Sequence, residues 1–171
     1  ADINETLECW EIALKNKNTP SAIALSRQKL PYVNPKFSEK NICENGAYVV
    51  KMNSHDNKVT LVASGSEVEL ALNVHKALKE NDIESKVVSM PCQELFDKQS
   101  DDFKKDILDE ESLIVTIEAG NISSWNKYLG VKGMSLGINR FGESAPYKKV
   151  YEHLDLSVEK IVLSIQERLR K

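Results

Sequence analysis

The sequence predicts an α/β protein: a three-layer α/β/α sandwich around a mostly parallel five-stranded sheet with one antiparallel edge strand. Three observations carry this. From residue 47 onward, short apolar runs alternate with stretches of helical periodicity, the pattern of strands joined by crossover helices. The first two runs, AYVVKM and KVTLVAS, are joined by NSHDN, a hairpin-like junction that supplies the antiparallel strand at an edge. The length, 171 residues, suits one domain with an appendage.

The elements follow in order. INETLECWEIALKN places Ile3, Leu7, Trp10, Ile12 and Leu14 near helical spacing, with Asn4 as the expected N-cap and Asp2 and Glu5 at the positive end of the dipole. Asn18-Thr19-Pro20 ends that helix. SAIALSRQ reads as a buried strand whose C-terminal end faces a cleft. Residues 32–46, with a turn signal at Asn34-Pro35 and a closing Gly46, form the best boundary in the chain. After the two hairpin strands, SEVELALNVHKALKEN is a helix with Val68, Ala71, Leu72 and Leu78 on one face. ESKVVSMP is a strand stopped by Pro91, and Gln93 to Leu108 is a helical stretch. LIVTIEAG is a strand, SSWNKYLG a short helix and MSLGINRFG a strand. APYKKVYEHL and SVEKIVLSIQERL are the closing helices. In the last, Val158, Ile161, Val162, Ile165 and Leu169 make an apolar stripe. Parallel pairing with right-handed crossovers follows from the alternation.

Charge is mixed along the chain and nets to −3, so no electrostatic footprint for nucleic acid is present. The Arg168, Arg170 and Lys171 cluster suits the last turn of a helix. Cys9, Cys43 and Cys92 are odd in number and widely spaced, which argues for a reducing compartment over a disulfide framework. There is no membrane-spanning apolar run and no signal-peptide pattern, and the chain opens directly on a helical pattern without Met. That opening reads as a cut inside a longer protein.

Several motifs could carry chemistry. In SGSEVELA, a glycine turn leads into a helix start that could attract phosphate. Ser66 with Glu69 fits a capping box, however, and Glu67 would repel an anion, so capping is the favoured reading. Glu118 closes a strand at the edge where open α/β sheets bind ligands; without a partner base it reads as a hydrogen-bonded structural or interface carboxylate. In FGESAP, Ser144 is an expected helix cap and Pro146 suits the first turn. Cys92 lacks an activating His, and His55, His75 and His153 show no metal-ligand spacing. No catalytic, cofactor-binding or metal-binding residue is expected in the chain. Arg27, in SRQ at the end of the expected strand, is either a phosphate-binding guanidinium or a surface arginine.

The segments ALSRQKLP, GSEVELAL, VVSMP with FDKQ, IEAG and FGESAP occur in one order over nearly the whole chain, and this series resembles the C-terminal third of transketolase. The resemblance implies a parent enzyme that moves a two-carbon ketol unit from a ketose phosphate to an aldose phosphate in the pentose phosphate pathway. It also implies a cytoplasmic homodimer using thiamine diphosphate and a divalent metal, Mg or Ca. Residues 1–33 correspond to the tail of the middle, pyrimidine-binding domain, 34–46 to a linker and 47–171 to the C-terminal domain. Arg27 matches an arginine that binds substrate phosphate. The family's metal ligands and its residues around the thiazolium lie upstream of Ala1. The chain alone is therefore expected to be inactive and structural, to bind no cofactor, and to self-associate through residues 1–33. The alternative functions are a small-anion-binding or regulatory α/β module with its ligand at the Gly65 turn, or another class of thiamine enzyme, against which FGESAP and SMP…FDKQ argue.

Overall fold

The computed structural model describes residues 1–33 and 40–170. The Asn34-Pro35 turn signal and Lys171 lie outside them. The first helix, α1 (Ile3–Lys15), is capped by Asp2, whose carboxylate accepts from the Glu5 N–H; this is two residues before the Asn4 expected for that role. The Asp2 carboxylate reaches an unpaired N–H from just outside the helix, whereas Asn4 already has helical geometry.

The sheet contains β1 (Tyr48–Met52), β2 (Val59–Ala63), β3 (Ser85–Ser89), β4 (Leu113–Glu118) and β5 (Met134–Gly137), in the order β1-β3-β2-β4-β5. All neighbours are parallel except β1 and β3. The antiparallel edge strand is therefore β1, as expected, but it does not form a hairpin with β2. Strand β2 is buried along its whole length between β3 and β4 and has no edge to offer, so β1 pairs with the outer side of β3 through a bulge between Val49 and Lys51.

The helices cover both faces. On one side α2 (Glu67–Lys79) and α6 (Val158–Leu169) bury Val68, Ala71, Leu78, Ile161 and Ile165 against Leu61, Val87 and Val115. On the other, α3 (Gln93–Asp97), α4 (Asp101–Leu108) and a 3-10 helix (Ser123–Tyr128) bury Phe96, Ile107 and Trp125 against Val62, Val88 and Ile114. Leu61 and Val62, adjacent in sequence, serve opposite faces because strand side chains alternate. The expected single stretch from Gln93 to Leu108 is two helices, since Ser100 restarts the backbone and caps α4 through the Phe103 N–H. The next-to-last helix, α5 (Tyr147–His153), starts after Pro146 without a side-chain cap, so Ser144 does not take the role expected of it.

Gly46 joins α1 and its following segment to this sandwich. Its φ is +81°, and a Cβ there would lie 2.4 Å from both the Cys92 carbonyl oxygen and the Phe96 nitrogen. Its carbonyl accepts from the Cys92 N–H. The start of α3 thus packs directly on the backbone preceding β1. Among the described residues, no helix is long and apolar enough to cross a membrane.

Candidate functional site

Chain order sets the ligand edge of such a sheet. From β2 the chain moves to β3 on one side and then crosses to β4 on the other, so the crevice at the carboxyl ends of β2 and β4 is the topological switch point. The residues there are Ser64-Gly65-Ser66-Glu67 after β2 and Glu118 at the end of β4. Ser64 Oγ donates to Glu118 Oε2 at 3.3 Å. Ser66 Oγ donates to Glu67 Oε1 at 2.8 Å, and the Tyr151 hydroxyl donates to the same oxygen. The capping box of Ser66 with Glu69 is not formed. Instead the Glu67 and Val68 N–H groups donate to the Ser64 and Gly65 carbonyls, which frees Ser66 to bind Glu67.

Burial, and then the nearby Glu67 carboxylate, raise the Glu118 pKa above its ordinary value. Burial and the Glu67 carboxylate likewise push the Tyr151 phenol far up. Two facing carboxylates, each held by hydroxyl donors, make the Gly65 turn hostile to anions, which weighs against the anion-binding module. The sequence marked Glu67 only as a helix-start charge, and Tyr151 sits 84 residues away from it. Among the described residues, no group of three His, Cys, Asp or Glu side chains is placed to hold a metal ion.

A cavity of about 700 Å³ lies between α1, residues 19–25 and the carboxyl edge at Ser64-Gly65 and Pro91–Leu95. Here the structure departs from the sequence reading. SAIALSRQ is not a strand: residues 20–26 join no sheet, and Arg27 is an exposed residue in a bend. A strand exists only through a ladder with a neighbour, and the five strands present do not pair with this segment. The helix α1 turns a carboxylate, not its apolar residues, to the sandwich. Glu5 is only 5% exposed and accepts hydrogen bonds from Tyr48 Oη at 3.0 Å and from Ser89 Oγ. Asn41 donates to the Glu8 carbonyl and to Glu11, and the Cys43 N–H to the Glu8 carboxylate. Leu7, Trp10, Leu14 and Leu25 remain exposed. Nothing in the sequence pattern marks Glu5 beyond its place in the first turn.

The other singled-out residues make contacts of their own within the fold. Burial raises the Cys92 thiol pKa, the opposite of an activated nucleophile. His75 Nδ1 meets Ser85 Oγ at 2.8 Å inside the fold, and burial lowers its pKa. His153 is exposed near Glu143, and Arg168 Nε donates to the Lys132 carbonyl.

Comparison with known proteins matches this architecture. The chain is 39% identical over 175 aligned residues to the transketolase of Rhodobacter capsulatus, covering 99% of this chain and 26% of that protein. It is 42% identical to the chloroplastic transketolase of Craterostigma plantagineum, covering 98% of this chain and 32% of that one. A crystal structure of the Pichia stipitis transketolase in complex with sedoheptulose 7-phosphate superposes with a TM-score of 0.89 at 31% identity, covering 99% of this chain and 24% of its own. The chain spans about a quarter of the length of the first of these relatives. Residues 46–157, more than half of the chain, match the model of the transketolase-like TK C-terminal domain, and the chain belongs to that family.

Proposed function

We propose that the chain serves as the C-terminal part of a transketolase, a transferase of two-carbon ketol units between sugar phosphates in the pentose phosphate pathway. The observation that carries this is the reach of the similarity. It extends beyond residues 46–157 to nearly the whole chain, so α1 and the segment bearing Arg27 also align with transketolases. In this reading residues 1–33 belong to the middle domain, 34–46 are the linker and 47–171 are the C-terminal domain. Thiamine diphosphate and its divalent cation bind to residues outside this chain, and the parent works as a cytoplasmic homodimer. Arg27, exposed beside the cavity edge at Leu25, is the residue that contributes to substrate binding through its guanidinium. The 171-residue chain is inactive by itself. Its exposed Leu7, Trp10, Leu14 and Leu25 need an apolar cover, which a second copy provides when the rest of the parent is absent.

The test is kinetic, on the proposed full-length protein. Arg27→Ala should raise KM for phosphorylated sugars roughly tenfold to a hundredfold, the loss of one charge-assisted contact. Unphosphorylated acceptors should change little. Equal effects on both substrate types overturn the role of Arg27, and a full-length protein without ketol transfer overturns the reading as a whole.

A further inference from the structure

A cavity of about 690 Å³ lies at the opposite edge of the sheet, among the loops that lead into β2, β4 and β5 and the end of α6. Three cations, Lys58, Lys132 and Arg168, and three carboxylates, Asp56, Asp109 and Glu111, line it together with Asn57. Among the described residues, no ion pair within 4.0 Å involves any of these six. The backbone sorts the two signs. Arg168 Nε donates to the Lys132 carbonyl at 2.9 Å, which sets these two residues side by side. Towards β2 and β4, the Ser112 N–H and hydroxyl both donate to the Asp109 carbonyl, and the Leu113 N–H donates to the Lys58 carbonyl at 2.8 Å. Those bonds bring the turn bearing Asp109 and Glu111 next to Asn57. Asn57 is 8% exposed, and its Nδ2 donates to the Ser54 carbonyl at 2.7 Å. Its Oδ1 is buried with no donor among the described residues. A buried acceptor without a partner is costly, and one in a cavity wall calls for a donor from the cavity.

We propose that this cavity binds a small sugar phosphate, its phosphate held by Arg168 and Lys132 and its hydroxyls donating to Asn57 Oδ1, Asp109 and Glu111. A guanidinium and an ammonium suit a phosphate, since one offers a planar fork of N–H groups and the other a point charge. Ionised carboxylates and an amide oxygen only accept, so they suit hydroxyls and repel a phosphate. The two sides therefore fix which end of the ligand lies where. A free phosphate satisfies only the cations, and a neutral polyol only the acceptors. The chemistry of the cavity selects a phosphorylated polyol; that this polyol is a sugar of the kind a transketolase handles rests on the reading under Proposed function. A ligand spanning both sides links the loops before β2, β4 and β5 to the end of α6, and so stabilises the folded chain.

Calorimetry on the 171-residue chain tests this with ribose 5-phosphate, ribose and inorganic phosphate. Ribose 5-phosphate should bind roughly tenfold more tightly than either of the other two. Lys132→Ala and Arg168→Ala should each weaken it roughly tenfold to a hundredfold, the loss of one charge-assisted contact. Arg168→Ala also drops the bond to the Lys132 carbonyl, so Lys132→Ala is the cleaner variant. Glu111→Ala, at an exposed residue, should weaken ribose 5-phosphate but not inorganic phosphate. Arg27→Ala should change nothing, which separates this cavity from the substrate contact proposed for Arg27. NMR amide shifts of the unmutated chain locate the ligand without any variant: residues 56–58, 110–113 and 131–132 should move. No saturable binding in the millimolar range overturns the proposal. So do shifts confined to residues 20–28, or affinity for inorganic phosphate equal to that for ribose 5-phosphate, which marks an adventitious ion only. The readout is binding, so a failure of the transketolase reading shows as absent ketol transfer and a failure here as absent binding.

Discussion

Removing the Tyr48 hydroxyl tests whether α1 is held by its buried carboxylate. Tyr48 Oη donates to Glu5 Oε2 at 3.0 Å, and both residues are at most 8% exposed. Burial raises the Tyr48 phenol far above its ordinary range, so it remains a donor at any working pH. A buried hydrogen bond to a charged acceptor contributes about 1.5–3 kcal/mol. For a chain of this size each kcal/mol shifts Tm by roughly 2–4 °C, so Tyr48→Phe should lower Tm by roughly 3–12 °C. The clean measurement is a double-mutant cycle with Glu5→Ala by denaturant unfolding, since residues in contact couple by about 0.5–3 kcal/mol. Hydrogen exchange adds a local readout. In Tyr48→Phe the amides of α1 should exchange faster while those of β2 and β4, buried along their lengths, keep their protection. Additive single mutants, or protection lost equally in α1 and β4, would refute the idea that this carboxylate anchors the helix.

Three further outcomes are expected. Gly46→Ala must place a side chain at φ +81° and 2.4 Å from two backbone atoms, so left-handed strain and overpacking together should cost roughly 2–5 kcal/mol; Gly65→Ala, at φ +53° with nothing within 4 Å, should cost only the first part, about 1–2 kcal/mol. Equal losses in thermal unfolding of the two variants count against the packing argument. Glu118→Gln should become progressively more stable than the parent as pH rises from 4.5 through the raised pKa of Glu118: the protonated carboxyl is the form the fold favours, so its contribution is fully present below 4.5 and lost above the folded value. Parallel stability–pH curves for the two proteins would show that Glu118 is not shifted. Deleting residues 1–33 should leave a folded monomer, because both buried clusters lie in residues 47–165, and light scattering of the full chain should report self-association that the deletion abolishes.

How far the sequence revealed this structure depends on which interactions each element needs. Strands β2 to β4 were legible as short apolar runs, and helices α2 and α6 because their apolar residues repeat at the helical period. Val158, Ile161, Val162 and Ile165 pack where the stripe places them. Pairing was less legible. NSHDN looks like a hairpin junction, yet the partner of β1 was decided by which strand in the finished sheet retained an open side. Caps depended on single backbone angles: Ser66 sits in helical geometry and binds the neighbouring Glu67 instead of closing the box with Glu69. The buried polar groups were illegible for another reason. Glu5, Tyr48 and Ser89 are up to 84 residues apart, and no periodicity connects them. Arg27 was singled out from its chemistry and from the family resemblance, while the strand expected to present it has no neighbour here.

The helix α1 brings these two kinds of information into one element. Its periodic residues Leu7, Trp10 and Leu14 predict an apolar contact, and that face is open, at 48–75% exposure. Its non-periodic residues Glu5, Glu8 and Glu11 make polar contacts to the sandwich or the turn before it. Polar contacts of this kind fix direction and register, because a buried carboxylate tolerates few positions for its donors. They remove little apolar surface from water, so by themselves they leave the strongest drive for packing unspent. A helix oriented by one domain while its apolar stripe faces away from it is suited to bridge two bodies. That is the position the proposed domain division gives it, between a C-terminal sandwich that sets its angle and a middle domain that covers its stripe.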